Sequence, residues 1–223
     1  MSDDESKPPI GMPEGPVPKA VVSRLSLYLR ELQRILSDGQ ATISSTQLGS
    51  LLGFSDAQVR KDLAYFGQFG YPGIGYRCEE LVSAVRRILG TDRPWNASII
   101  GMGNLGRALI GYRGFLNQGF RVVSIFEVDS SKVGWQVEGV QVYHLDQMPE
   151  IVKSLGVRLA LIAVPATNAQ QVADRLVSAG IEGILNFAPV TLTVPPTVSL
   201  VEVDLAMQLE QLAFAVVNRE KSA

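Results

Sequence analysis

The stretch of sequence that decides the fold is Gly101-Met102-Gly103-Asn104-Leu105-Gly106. A short apolar run at residues 97–100 precedes it, and a helix-forming run at residues 107–110 follows it. Strand, glycine turn and helix in this order are typical of a nucleotide-binding α/β unit. The first glycine allows a tight turn, the second lets the backbone approach a pyrophosphate, and the third lets helix and strand pack closely. The motif alone is a weak signal, because a glycine turn that binds nothing has the same pattern.

An acidic residue after the next predicted strand strengthens the nucleotide interpretation. The apolar run at residues 121–126 ends in Glu127-Val128-Asp129. In such units a carboxylate roughly 20 residues past the last glycine binds the adenosine ribose hydroxyls. Glu127 fits this spacing better than Asp129, and both are candidates. The pattern therefore predicts a dinucleotide site, and its carboxylate would repel a 2′-phosphate on the ribose.

The rest of the second half alternates between strands and helices. Residues 158–164, 183–187 and 198–203 are apolar runs of strand length, and the first is apolar almost throughout, as in a strand covered on both faces. The alternation predicts a Rossmann-like doubly wound parallel sheet. The last segment, residues 205–217, predicts a helix whose apolar stripe must be buried on its own domain or on a second subunit.

A helix-turn-helix is predicted upstream of the glycine turn. The runs SSTQ at residues 44–47 and SDAQ at residues 55–58 both fit a capping box. The first short helix ends at Gly53, so a tight turn joins it to the second, as in a helix-turn-helix unit. The glycine-rich residues 67–76 that follow predict a hairpin or wing.

The polar face of the second helix fits a DNA major groove. Arginine and lysine reach guanine O6 and N7, and glutamine suits adenine or phosphate. A solvated surface helix has the same pattern, but the preceding capped helix favours DNA contact. The predicted DNA-binding residues are Ser55, Gln58, Arg60, Lys61 and Tyr65.

Composition fits a cytoplasmic protein of two modest domains. The chain has 223 residues, 46% hydrophobic and 19% charged. No run of about 18 apolar residues and no signal-peptide core is found, so no membrane partner is expected. Cys78 and His144 are the only residues of their types, so no disulfide or metal site is expected. Residues 17–93 hold ten Lys or Arg against seven Asp or Glu although the whole chain is acidic, which supports DNA binding by the first half.

Four runs together resemble the Rex family of bacterial redox-sensing transcriptional repressors. They are VRKDLAYFG at 59–67, GIGY at 73–76, GMGNLG at 101–106 and GILNFAP at 183–189. The resemblance covers about residues 17–218. It implies a homodimer with winged-helix domains on an inverted-repeat operator, Rossmann domains on NAD(H), and a C-terminal helix exchanged between subunits. It further implies that NADH binding closes the dimer and releases the operator.

The resemblance also implies residues that couple the two sites. The family's helix-one arginine falls on Arg30, the tyrosine after the glycine turn on Tyr112, and the acid before the exchanged helix on Asp204. We expect Asp204 to pair with either Arg30 or Tyr112, and Leu205 to help close an apolar pocket over the neutral nicotinamide ring. One departure is the wing, where Tyr71-Pro72 stands in place of the family's frequent basic residues.

Two alternative functions fit parts of the sequence. An NAD-dependent oxidoreductase usually needs a positioned acid or base and room for a substrate domain, and neither is evident. A nucleotide-binding scaffold with a vestigial helical domain leaves the basic pair Arg60-Lys61 unexplained. The main hypothesis is therefore a repressor without catalytic residues. Its predicted parts are a disordered tail (1–16), a winged-helix DNA-binding domain (17–93), a Rossmann domain (94–204) and an exchanged helix (205–223).

Overall fold

The computed structural model describes residue 15 and residues 17–220, and the chain divides into two compact units between Arg93 and Pro94. The predicted disordered tail lies outside the described residues except for Gly15, and so do residues 221–223 of the predicted exchanged helix. No helix in the described part of the chain has the length and hydrophobicity to cross a membrane.

The first unit is a winged helix-turn-helix, as predicted. Its elements are α1 (Lys19–Ser37), β1 (Thr42–Ile43), α2 (Ser45–Leu52), α3 (Asp56–Ala64), β2 (Gly70–Tyr71), β3 (Gly75–Arg77) and α4 (Cys78–Ile88). The three strands form an antiparallel sheet in the order β1-β3-β2, and the β2–β3 hairpin is the wing. One apolar core joins α1, α2, α3 and α4, and its fully buried members include Leu25, Leu32, Leu48, Val59 and Leu81.

Local capping explains why α2 and α3 are short and separate. Ser44 forms the complete predicted capping box with Gln47, and α2 ends at Gly53, whose φ of 75° is left-handed. At α3 the Ser55 hydroxyl accepts the Gln58 N–H, but the Gln58 side-chain amide donates to Asp62 instead of completing the box. The turn between α2 and α3 is therefore set by their own caps.

The second unit is a Rossmann-like sheet with helices on both faces. Its elements are β4 (Trp95–Ile100), α5 (Asn104–Ile110), α6 (Gly114–Asn117), β5 (Phe120–Glu127), β6 (Gln136–Val137), β7 (Val140–His144), α7 (Met148–Ser154), β8 (Leu159–Ile162), α8 (Ala166–Ser178), β9 (Gly183–Asn186), β10 (Ser199–Glu202) and α9 (Leu205–Glu220). The sheet order is β10-β9-β8-β4-β5-β7-β6. The chain runs outward from β4 in both directions, so the carboxyl end of β4 is the switch point where such sheets bind ligands.

The edge of this sheet differs from the all-parallel prediction. Strand β6 pairs antiparallel with β7, while the other neighbouring strands are parallel. The two-residue turn at Glu138 and Gly139 has positive φ at both positions, 51° and 78°, which suits a hairpin between twisted strands. Sequence periodicity did not predict β6, β7, α6 or α7, since each is short.

The apolar stripe of α9 is not buried on its own domain. Leu205, Leu209, Leu212, Phe214 and Val216 are all exposed, with Phe214 at 70% of its full surface. The described chain therefore leaves this stripe uncovered.

Candidate functional site

The glycine turn has the geometry that its motif predicts. Gly101 has a φ of 98°, and a Cβ at this position would lie 2.6 Å from the carbonyl oxygen of Ala163. A Cβ on Gly106 would collide with the carbonyl oxygen of Gly101. Gly103 faces open space at the start of α5, where a bound group can approach the backbone. The first and third glycines are therefore required for packing, and the second is open for a ligand.

Glu127 is buried at the end of β5 and is bound to the glycine turn. Its Oε2 accepts the N–H of Met102 at 2.9 Å, and its Oε1 accepts the N–H groups of Val128 and Asp129 at 2.7 and 3.1 Å. Burial acts to raise the pKa of Glu127, but these three hydrogen bonds and nearby Lys132 outweigh it and hold the pKa below 4.5. The carboxylate is therefore ionised at neutral pH.

A cleft of about 360 Å³ lies at the switch point of the sheet. Gly101, Met102, Gly103 and Glu127 line it, together with Val164 and Pro165 after β8. Among the other predicted cofactor residues, Asn104 and Leu105 begin α5 and are exposed, and Leu205 begins the exposed α9. The structure thus brings the glycine turn and Glu127 together, whereas Leu205 is not part of this cleft.

The second acidic candidate, Asp129, has a different environment. Its carboxylate accepts the N–H and hydroxyl of Ser131 at 3.0 and 2.6 Å, and Lys132 lies 3.3 Å from it. These contacts lower the pKa of Asp129, the Ser131 hydroxyl most of all. Asp129 is exposed and does not line the cleft, so Glu127 is the better placed of the two acids.

The predicted DNA-binding residues lie on one short helix, and most are exposed. Lys61 and Tyr65 are exposed. Arg60 is exposed too, but its guanidinium lies 2.7 Å from Asp56 and donates to the Ser45 hydroxyl at 3.0 Å. The Arg60 side chain is thus held toward the start of α2, where it is presented beside Ser45.

The sequence interpretation missed a polar cluster beneath this helix. Asp62, the fourth residue of VRKDL, is fully buried and accepts hydrogen bonds from Arg24, Tyr28 and Gln58. A charged residue that follows Lys61 on α3 looks solvent-exposed from sequence alone. The available signal was its position three residues after the buried Val59, on the core side of α3.

The wing has no basic residue between Gly70 and Gly73, but Arg77 lies at the end of its second strand, β3. The Arg77 guanidinium stacks 4.7 Å from the centre of the Tyr71 ring and lies 3.1 Å from Glu80. The Tyr71 hydroxyl also donates to Glu80 at 3.0 Å. Tyr71, which stands where the family often has a basic residue, therefore helps to fasten the wing to α4.

The three predicted coupling residues are all on surfaces or at element ends. Arg30 is exposed on α1. Tyr112 is 60% exposed and its ring packs edge-on against Phe115 at 5.0 Å. Asp204 precedes α9, and its Oδ1 accepts the N–H groups of Ala206 and Met207 at 2.9 and 3.1 Å. Both of these bonds are accepted by Oδ1.

Similar proteins from other bacteria are named as redox-sensing transcriptional repressors. The redox-sensing transcriptional repressor Rex of Pelotomaculum thermopropionicum is 46% identical over 207 residues, which cover 93% of this chain and 97% of that protein. The chain belongs to the Rex family. The Rex of Desulfitobacterium hafniense is 47% identical over 203 residues, covering 91% of this chain and 97% of that one. Rex proteins are named as transcriptional repressors, so the family is not one of enzymes.

Solved Rex structures share the fold over most of the chain. The structure of RSP, a Rex-family repressor, with β-NAD+ and operator DNA has a TM-score of 0.87 at 36% identity, covering 93% of this chain and 95% of that one. RSP with β-NADH has a TM-score of 0.83 at 35% identity, covering 93% and 97%. Two family models match parts of this Rex chain: "Putative DNA-binding protein N-terminus" at residues 16–64 and "CoA binding domain" at residues 92–190.

Proposed function

We propose that this chain is a redox-sensing repressor that binds operator DNA as a homodimer and releases it when NADH binds. The observation that carries the proposal is the match over 93% of the chain to a single repressor, RSP, solved with β-NAD+ and operator DNA and with β-NADH. The match supports this function over an oxidoreductase or a nucleotide-binding scaffold. The proposed working parts are residues 17–93 for DNA, 94–204 for NAD(H) and 205–223 for exchange between subunits, and the proposed location is the cytoplasm.

The cleft of the second unit fits a dinucleotide. We assign the pyrophosphate to the turn at residues 101–106, because Gly103 leaves its backbone open to a ligand. The adenosine ribose is assigned to Glu127, with Asp129 as the second choice. Val164 and Pro165 line the same cleft and offer an apolar surface to a base. The ionised Glu127 would repel a 2′-phosphate, so the site should favour NADH over NADPH.

The proposed DNA contacts are on α3. Lys61 and Tyr65 are exposed, and Arg60 is presented beside Ser45, so these side chains are accessible to the edges of bases or to phosphates. Ser55 at the start of α3 can donate to a phosphate through its hydroxyl. Two copies of this helix in a homodimer would read the two halves of an inverted repeat.

The proposed dimer uses two apolar surfaces that residues 17–220, the part that the structure describes, leave uncovered. One is the exposed stripe of α9. The other is a groove of about 370 Å³ on the sheet, which we call the sheet groove. Its lining is almost wholly apolar and includes Ala97, Phe115, Val122, Leu159, Leu185 and Val201. Exchange of α9 onto the partner would cover both kinds of surface, since large exposed apolar patches mark interfaces.

The switch is proposed to depend on alternative pairing of Asp204. The Asp204 carboxylate pairs with Arg30 in one dimer shape and with Tyr112 in the other, and one shape binds DNA while the other binds NADH. Leu205 closes an apolar pocket over the nicotinamide ring, where the positive ring of NAD+ is disfavoured. NADH then shifts the equilibrium between two dimer shapes by its differential affinity for them.

The test is an operator-release assay on the unaltered full chain. A duplex is first selected from a random-sequence pool on the protein, and its binding is followed by fluorescence anisotropy during separate titrations with NADH, NAD+ and NADPH. We expect NADH to release the duplex at the lowest concentration. The proposal is overturned if selection yields no preferred sequence, or if saturating NADH leaves the complex intact.

A further inference from the structure

A buried carboxylate fastens the proposed recognition helix to α1. Asp62 is fully buried although it directly follows the exposed Lys61. Arg24 donates to it twice, from Nε to Oδ2 at 2.6 Å and from Nη2 to Oδ1 at 2.8 Å. The Tyr28 hydroxyl donates to Oδ2 at 2.7 Å, and the Gln58 amide donates to Oδ1 at 2.7 Å. A carboxylate accepts about four hydrogen bonds, so these contacts fill the acceptor capacity of Asp62.

These bonds restrain both the distance and the rotation between two helices. Arg24 and Tyr28 are one turn apart on α1, and Gln58 and Asp62 are one turn apart on α3. The planar guanidinium forms two parallel bonds, which adds a directional restraint that a single contact lacks. Helix α3 therefore cannot slide or roll along α1 without breaking bonds to a buried charge.

The same cluster reaches the turn that precedes α3. The rings of Tyr28 and Phe54 meet edge-to-face with centres 6.1 Å apart. The Arg24 guanidinium lies 6.0 Å from the centre of the Phe54 ring. Phe54 lies between α2 and α3, so the entry to the recognition helix is held by the same two residues of α1 that hold Asp62.

The energetics favour a geometric role for this cluster. Burial acts to raise the pKa of Asp62, but hydrogen bonds from Arg24, Tyr28 and Gln58 outweigh it, so the pKa is lowered and the carboxylate stays charged. A buried ion pair often adds no more stability than well-packed apolar side chains of similar volume. A fully satisfied polar network does, however, specify one arrangement of the groups around it.

We propose that Asp62 is a positioning residue for operator recognition. Held by Arg24 and Tyr28, it sets the orientation at which Arg60 and Lys61 meet the bases, without touching DNA itself. Gln58, predicted from sequence as a DNA contact, acts in this cluster through its amide. The inference rests on the proposed function of α3 as the recognition helix.

The test compares an isosteric variant, an apolar variant and a matched control. Asp62→Asn removes the charge, and the triple variant Arg24→Met, Tyr28→Phe, Asp62→Leu replaces the cluster with apolar volume. The control is Glu31→Gln on α1, which breaks an exposed ion pair with Arg34 and leaves α3 untouched. Each full-length variant is measured for its melting temperature, its NADH affinity, and its affinity for the selected duplex and for a shuffled duplex at one salt concentration.

A positioning role predicts a loss of selectivity. Asp62→Asn and the triple variant should bind the selected duplex about tenfold more weakly, the scale of one misplaced base contact. Their affinity for the shuffled duplex should change less than about twofold, because it depends on charge rather than on angle. NADH affinity should be unchanged, the triple variant should keep the parental melting temperature or exceed it, and Glu31→Gln should match the parent throughout.

The inference is overturned if folded Asp62→Asn or the triple variant binds the selected duplex as the parent does, whatever its melting temperature. If neither variant folds, Tyr28→Phe decides the question, since it removes one hydrogen bond only: an unchanged ratio between the two duplexes overturns the inference, and a lowered ratio supports it. The double variant Arg60→Ala, Lys61→Ala separates this result from the proposed function. Parental operator binding by the double variant would exclude α3 as the recognition helix. Weak binding by the double variant, together with parental binding by the Asp62 variants, would exclude only the positioning role of Asp62.

Discussion

The backbone N–H of Met102 donates a hydrogen bond of 2.9 Å to Oε2 of Glu127, and so joins the glycine turn to the end of β5. The carboxylate therefore has two roles in the proposed site. It braces the turn that would hold the pyrophosphate, and it is the acid that would hold the ribose. Loss of Glu127 should then weaken every dinucleotide, and NADH more than NADPH.

Glu127→Gln should lower NADH affinity about tenfold or more, because a hydrogen bond to a charged group contributes about 1.5–3 kcal/mol. NADPH affinity should fall less, since the charge that repels its 2′-phosphate is gone. Tryptophan fluorescence or calorimetric titration with both dinucleotides measures the two values. Asp129→Asn tests the second-choice acid, which is exposed and outside the cleft, and it should change both affinities less than Glu127→Gln does. Equal NADH and NADPH curves for the unaltered protein would exclude Glu127 as the discriminating acid.

The lowered pKa of Glu127 also predicts how stability varies with pH. Its pKa lies below the ordinary value of 4.5 in the folded chain. Such a group contributes stability above its unfolded pKa, and this contribution is lost as the pH falls through the folded value. In urea denaturation at several pH values, the free energy of unfolding should therefore fall less steeply with decreasing pH for Glu127→Gln than for the parent. A stability difference between the two that is the same at every pH would contradict the assignment.

Arg60→Ala and Lys61→Ala should each cost about 1–3 kcal/mol of operator binding if the side chain reads a base edge. If the contact is to phosphate only, the loss should be similar for all duplexes and the salt slope should fall by about one. Anisotropy titrations at several salt concentrations distinguish these results. Parental affinity in the double variant would rule out α3 as the recognition helix.

Asp204→Asn should uncouple NADH binding from DNA release. Asp204 caps α9 through Oδ1, and asparagine can keep that cap while the negative charge is lost. Asp204→Asn therefore tests the charge without removing the helix cap. NADH affinity should stay near the parental value, while the coupling between sites should fall by about 1–3 kcal/mol. The measurement is duplex release across an NADH titration. Release at the parental NADH concentration would refute the relay through Arg30 and Tyr112.

Leu209→Asp combined with Leu212→Asp should break the proposed dimer. Both side chains are exposed on the apolar stripe of α9, and charges there would oppose burial on a partner. Light scattering after size exclusion should give a dimer mass for the parent and a monomer mass for the variant. Gln211→Asp, on the same helix, is the control and should remain dimeric. A dimer mass for the double variant would show that α9 is not needed for assembly.

Much of the fold and part of the site were predictable because their signals are local. The glycines of the turn, the capping residues Ser44 and Ser55, and the apolar periodicity of α9 each act within a few neighbouring residues. The short elements β6, β7, α6 and α7 escaped prediction, since a few residues show too little periodicity to indicate an element.

The sequence by itself determined a winged helix followed by a Rossmann-like sheet, the glycine turn and the acidic candidates. Only the tertiary structure decided which side chains meet. Asp62 pairs with Arg24 across 38 residues of chain, and Glu127 meets Met102 across 25. Tertiary structure also showed that the predicted stripe of α9 has no cover in the described chain. Local propensity specifies what a segment becomes, whereas a pairing between distant segments depends on how complete elements pack, and no spacing along the chain encodes that distance.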